Sequence, residues 1–275
     1  MQGPHAMRHG TSALDFAVAS RDSKVLDMVR RAIEHREVML AYQPVVRASD
    51  PNRVAFYEGL VRVLDETGRV IPAREFIHAV EDMEYGRLLD CLALQIGLTA
   101  LKREPTLRLS INLSARSIGY TRWQRILDRA LSTDTTLGER LILEITEHSA
   151  IVVPELVTSF MGRLRMQGIT FALDDFGAGY TALRHFRDFQ FDVLKIDGQF
   201  VTGIAQSPDD QVLVASMLAI AEQFDMFTVA EAVENADDAS VLAQLGVDCL
   251  QGYLTGAPTV SPPWQEERQD KRRRA

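Results

Sequence analysis

The sequence predicts an α/β protein built as a TIM-like (β/α)8 barrel, and three observations carry that prediction. Short apolar runs of strand length alternate with stretches of helical periodicity from Val25 onwards, the pattern of β/α units. Eight strand candidates fit in the 275 residues, close to the roughly 250 typical of that fold. The runs also stop in a consistent way, at Gln43, Glu58, Asn112, Glu144, Asp174, Lys195 with Asp197, Glu231 and Gln251. All of these ends are polar and most are carboxylates or carboxamides. Solvated ends arising by chance would include Ser, Thr and Gly more freely, and in such barrels the reactive groups sit at the strand ends.

The elements follow in order. Leu14 to His35 has helical spacing, with Val25, Met28, Val29 and Ile33 on one face. A strand from Met39 is cut off by Pro44, and a second spans Val54 to Leu60. Pro72 opens helices that run to Arg103. Leu107 to Ser114 alternates as a strand, and Arg122 to Leu131 is a helix. Arg140 to Glu147 is a strand ending in acid, and Pro154 to Gly168 is an amphipathic helix closed by glycine. Ile169 to Leu173 stops on adjacent carboxylates, Asp174 and Asp175. Neighbouring side chains of a strand point to opposite faces, so both serve one site only if the strand ends there, and Phe176-Gly177-Ala178-Gly179 supplies the turn. A helix from Tyr180 to Phe189, a strand from Phe191 to Asp197, a helix from Pro208 to Phe224, a strand from Phe227, a helix from Asn235 to Leu245 and a last strand from Val247 complete the pattern. The expected boundaries are a tail over 1–22, the barrel over 23–262 and a polar, basic tail over 263–275.

Composition narrows the function. With 46% hydrophobic residues the chain can bury a large core. Thirty Lys and Arg against 38 Asp and Glu give a net charge of −8, which repels a nucleic acid backbone, so no nucleic acid polymer is expected as partner. No apolar run reaches membrane-spanning length. Cys91 and Cys249 lie in apolar surroundings without metal-type spacing. These features predict a cytoplasmic protein that makes no membrane contact.

Carboxylate and carboxamide oxygens are ligands for hard cations, Mg²⁺ or Mn²⁺ above all. Glu58, Asn112, Glu144 and Asp174 would line one such site, and Asp175 and Glu231 beside Asp174 allow a second. Paired metals are the usual apparatus for attack of water at phosphorus, with Lys195 placed to orient or deprotonate that water. Taken singly, each residue has an ordinary role. Asn112 caps a turn, Lys195 runs along an edge, Arg62 forms a surface ion pair, and Glu147 caps a helix.

In order along the chain stand Tyr42-Gln43-Pro44, Glu58-Gly59-Leu60-Val61-Arg62, Asn112-Leu113-Ser114, Glu144-Ile145-Thr146-Glu147, Asp174-Asp175-Phe176-Gly177, Lys195-Ile196-Asp197, Glu231-Ala232-Val233-Glu234 and Gln251-Gly252-Tyr253. Together they resemble the motifs of EAL-domain cyclic-di-GMP phosphodiesterases, over roughly Val25 to Pro258. The resemblance implies a barrel modified by one antiparallel strand, which opens cyclic-di-GMP to linear pGpG with two Mg²⁺ or Mn²⁺ ions and is inhibited by Ca²⁺. It implies Glu58, Asn112, Glu144 and Asp174 as ligands of the first metal, and Asp175 and Glu231 as ligands of the second. Lys195 handles the water, and Glu147 steadies the Asp-Asp loop. Gln43, Leu60, Arg62, Asp197 and Gln251 meet substrate or its surroundings. A homodimer and a regulatory protein partner are the expected associations.

Three departures stand out: Gly59 where Ala is usual, Ala232 where Gly is usual, and Ala178 with Thr181-Ala182 in the Asp-Asp loop. The last predicts a loop held with less help than usual. Two rivals remain: a receptor that binds cyclic-di-GMP without hydrolysing it, and a different Mg²⁺ barrel enzyme with a lysine base. No carboxylate of the ligand set is missing, which favours the hydrolase.

Overall fold

Eight of the apolar runs become neighbours in a closed ring. The computed structural model describes residues 13–152, 154–179 and 188–265. Its strands are β1 (Val38–Arg47), β2 (Asp50–Leu64), β3 (Val70–Pro72), β4 (Leu109–Asn112), β5 (Leu141–Thr146), β6 (Thr170–Phe176), β7 (Val193–Ile196), β8 (Phe227–Ala230) and β9 (Cys249–Leu250). The order β1-β9-β8-β7-β6-β5-β4-β2 is closed by β1 pairing with β2, and β3 is a short addition to β2. β1 runs antiparallel to both of its neighbours, and the other ring pairings are parallel.

The helices are α1 (Ala13–His35), α2 (Ile77–Val80), α3 (Glu84–Arg103), α4 (Thr121–Leu131), α5 (Glu147–Val152), α6 (Pro154–Arg165), α7 (Pro208–Gln223) and α8 (Ala236–Leu245). Local chemistry sets their ends. The Ser207 side chain accepts from Asp210 N to open α7, with Pro208 in the first turn. Asn235 does the same for α8 through Asp238 N, and Gly246 closes that helix at φ +99°. After α6, Ile169 N reaches back to Leu164 O and Gly168 adopts φ +83°, a glycine-closed helix end.

Period-two alternation along the strands sorts their side chains. Leu141, Leu143, Phe171, Leu173, Leu194 and Ile196 face outward into the large core shared with the helices. Val45, Phe56, Ile142, Ala172, Val193, Val229 and Cys249 form a separate buried cluster. Two residues further along each strand stand Gln43, Glu58, Glu144, Asp174, Lys195, Glu231 and Gln251, and Ser110 stands in the same relation to Asn112. For β1 the order is reversed, as its antiparallel direction requires, and the register confirms it by pairing Gln43 with Glu58 and Val45 with Phe56. A packed apolar layer thus lies beneath a polar layer, each fixed by the pleat.

Several sequence expectations change. β1 passes through Pro44 and continues to Arg47. Tyr42 N donates to Thr259 O, away from β2. The Pro44 nitrogen, two residues on, faces that same side, so the ladder to β2 loses no donor there. Gln43 is therefore mid-strand and not at a strand end. β2 extends to Leu64, because β1 pairs with it as far as Val63 and β3 pairs with Arg62, Val63 and Leu64. Pro72 ends β3 and precedes a 3₁₀ turn, so it does not open a long helix. The helix expected from Tyr180 to Phe189 falls almost wholly outside the described residues, as do Thr181 and Ala182.

The apolar layer is the floor of the polar one, so removing part of it should be expensive. Ile142→Ala should cost about 2–5 kcal/mol in urea unfolding, the usual range for a buried aliphatic truncation. A loss below about 1 kcal/mol would show that the layer is not tightly packed.

Candidate active site

Lys195 stands at the centre of the polar layer, 1% exposed. Its Nζ lies 2.7 Å from Glu231 Oε1, 2.8 Å from Asp174 Oδ1, 2.9 Å from Glu144 Oε2 and 3.4 Å from Glu58 Oε2. Burial opposes its charge, but the carboxylates of Asp174, Glu144, Glu231 and Glu58 override it and hold the ammonium well above the usual lysine range.

The acids respond unequally. Burial also opposes the charge of Glu58, but Lys195 and hydrogen bonds from Gln251 Nε2 at 2.5 Å and Asn112 Nδ2 at 2.9 Å hold its carboxyl below the usual range. Glu144 is pushed well up by burial and by the charge of Glu58. Its Oε1 is buried with no hydrogen-bond partner. Burial raises Glu231 to about 8 against the pull of Lys195. Asp175 rises to about 6 through burial and its neighbours Asp174 and Asp197.

A backbone irregularity places the two adjacent aspartates. β6 does not stop at Leu173 but continues to Phe176, and its pairing with β7 shifts register between Leu173 and Phe176. Asp175 takes φ +56° in that interval, a left-handed conformation that breaks the pleat's alternation and is costly for a residue with a side chain. Asp174, Asp175 and Glu231 consequently offer oxygens that all lie within 4.8 Å of one another. The turn beyond is held from below. Gly177 N donates to Glu147 Oε2 at 3.0 Å, and Ala178 N donates to Asp175 O at 3.1 Å. Gly177 has φ +96°, and a Cβ there would lie 2.6 Å from the Phe200 ring.

A cavity of about 570 Å³ opens above these groups, with Gln43, Leu60, Asn112 and Gln251 on its walls. Gln251 Nε2 also reaches Gln43 Oε1 at 3.3 Å, and Gln43 Nε2 donates to Gly256 O at 3.1 Å. Arg62 and Asp197 do not line it. Arg62 donates to its own neighbour's carbonyl, Val61 O, and Asp197 accepts from Gln199 N at 2.7 Å. Sequence reasoning gave no site role to several wall residues, among them Arg74, His78, Asp90, Glu234 and Tyr253. Asp90 accepts from Ser117 Oγ at 2.6 Å and is pushed up to about 6 by burial. Its signal, a lone acid on the apolar stripe of α3, was available. Arg74 gave none, because it lies in a 3₁₀ turn.

The family model of the EAL domain matches residues 26–258. The chain belongs to the EAL-domain family. Among relatives of this EAL domain, the cyclic di-GMP phosphodiesterase PdeF of Escherichia coli K12 is 28% identical over 238 residues, covering 85% of this chain and 32% of that protein. The cyclic di-GMP phosphodiesterase PdeB of Shewanella oneidensis is 30% identical over 234 residues, covering 84% and 27%. The chain thus spans about a third or less of the length of these relatives. Among solved structures, the PaMucR phosphodiesterase in its c-di-GMP complex superposes with a TM-score of 0.75 at 28% identity, covering 88% of this chain and 99% of that one. The FimX EAL domain of Pseudomonas aeruginosa bound to c-di-GMP gives 0.78 at 23% identity, covering 86% and 96%, a likeness of fold. Among the described residues no helix is long and apolar enough to cross a membrane.

The donor set is all oxygen, and the unpartnered Glu144 Oε1 adds a free acceptor, so these residues fit a hard divalent cation. The raised carboxyls also give the EAL domain a pH signature in the absence of metal. Asp175 and Glu231 keep protons in the fold that the unfolded chain releases near the ordinary 3.8 and 4.5. Stability should therefore fall as pH rises from there through about 8. Thermal melts in a chelator should give a lower midpoint at about pH 8.5 than at about pH 5.5, with a flatter slope in Glu231→Gln. Equal midpoints in the parent would contradict these protonation states.

Proposed function

We propose that this EAL domain is a metal-dependent phosphodiesterase that hydrolyses cyclic-di-GMP to linear pGpG in the cytoplasm. The observation that carries the reading is the charge at the polar layer. Glu58, Glu144, Asp174, Asp175 and Glu231 face one ammonium, Lys195. Five carboxylates less that one cation leave four negative charges, which two divalent cations neutralise. Without them burial and mutual repulsion raise the proton affinities of Glu231, Glu144 and Asp175.

Glu58, Asn112, Glu144 and Asp174 would hold one Mg²⁺ or Mn²⁺, and Asp174, Asp175 and Glu231 the other. The ions supply charge stabilisation at phosphorus and lower the pKa of a water. Lys195, held as an ammonium by the surrounding acids, would orient that water by donating to its oxygen, and the proton the water loses leaves to solvent. The water oxygen joins phosphorus, the bond to one ribose 3′ oxygen breaks, and the departing oxygen takes a proton. Gln43, Leu60 and Gln251 hold the nucleotide in the cavity, with Arg62 and Asp197 at its approach. Asp90 and Glu234 offer acceptors for the N–H edge of a purine. Glu147 keeps Asp175 in place through Gly177. The expected homodimer or protein partner would have apolar surface available at Val212 and Leu213 of α7, both exposed.

Incubating the protein with cyclic-di-GMP and Mn²⁺, then separating nucleotides by chromatography, tests the reading. The expected product is pGpG, with turnover lowered by orders of magnitude in Glu58→Ala. Tight binding with the substrate left intact would make the protein a receptor instead. Parent-level turnover in Glu58→Ala would overturn the metal assignment.

A further inference from the structure

The backbone that carries Glu231 is gripped between two glycines from neighbouring strand ends. A Cβ on Gly252 would lie 2.0 Å from Val233 O and 2.4 Å from Val233 N. One on Gly198 would meet the Cβ of Ala232 at 2.6 Å, and nothing else nearer than 4.0 Å. Within this grip Ala232 takes φ +53°, a conformation that suits glycine and that an L side chain adopts at a cost. Glu231 N donates to Ile196 O at 3.2 Å and Val233 N to Gln251 O at 3.0 Å, so the segment is tied on both sides of the strained residue. The strain is local and well supported, the condition under which such backbone persists at a functional site.

We infer that Ala232 is a positioning residue for Glu231: its methyl group, seated against Gly198, fixes the turn that holds the Glu231 carboxylate beside Lys195, and the space between the β7 and β8 ends accepts one methyl, never two. Adding a methyl at 198 requires a shift where it meets Ala232, and a shift of the backbone after Glu231 disturbs the 2.7 Å contact between Glu231 Oε1 and Lys195 Nζ. Moving the methyl from position 232 to 198 removes the collision. It leaves Ala232 Cα and Glu231 O at 4.0 Å as the nearest atoms, ordinary packing, and gives position 232 the residue its φ favours. Gly198 and Ala232 are therefore a reciprocal pair. This inference rests on the reading of Glu231 as a cation ligand.

The test compares the parent with Gly198→Ala, Ala232→Gly and the double variant. Free Mn²⁺ is titrated by electron paramagnetic resonance, and hydrogen exchange is followed at the amides of residues 231–234. Gly198→Ala should weaken Mn²⁺ binding about ten- to hundredfold, the range for residues that orient a ligand, and speed exchange at those amides. The double variant should regain most of both losses, which a merely structural disturbance at two sites would not do. If Gly198→Ala does not fold, a folded, Mn²⁺-binding double variant still supports the pair. Parent-like binding in Gly198→Ala overturns the inference, as does a double variant no better than the single one or unable to fold. If the parent itself binds no Mn²⁺, the metal reading fails separately, and recovery of slow exchange in the double variant alone decides the pair.

Discussion

A buried ammonium surrounded by carboxylates governs the open end of this barrel. Removing any one of these charges from water would cost several kcal/mol alone, and the fold accepts them only because Lys195 touches four acids at 2.7–3.4 Å. The bargain is incomplete, since one cation cannot balance five carboxylates. The excess appears as raised proton affinity at Glu231 and Asp175 and as an oxygen of Glu144 with no hydrogen-bond partner. A site with that imbalance has the chemistry to take hard cations from outside.

Strand periodicity delivers the charges to one place. Most of the polar groups stand two residues beyond a member of the apolar layer, Phe56 before Glu58, Ile142 before Glu144, Val193 before Lys195 and Val229 before Glu231. A packed floor sets the height of the side chains above it, so polar groups from different strands converge at one level. Two positions escape the periodicity, Asp175 and Ala232, and both use left-handed backbone to do so. At both, the pleat alone would aim a carboxylate, or the residue after one, in the wrong direction.

This division explains what the sequence disclosed. The apolar runs ending in acids and amides made the barrel and most of the polar layer legible, because alternation is a local property of the chain. The path of β1 through Pro44 was not, since it depends on which side of the strand lacks a partner. Nor was the continuation of β6 past Asp174, because a left-handed aspartate gives no compositional sign. Arg74, Asp90 and Tyr253 reach the cavity from a short turn, a helix stripe and the loop after β9, whose meeting is decided by packing. The crowding of Ala232 on Gly198 joins residues 34 positions apart in sequence and becomes visible only in three dimensions.

The central claim, that the polar layer is one site for two divalent cations around Lys195, is tested most directly by anomalous diffraction from crystals grown with Mn²⁺. The account predicts two peaks on either side of Asp174, one bounded by Glu58, Asn112 and Glu144 and the other by Asp175 and Glu231. A fully ordered polar layer with Lys195 still paired to all four acids and no Mn²⁺ peak would contradict it.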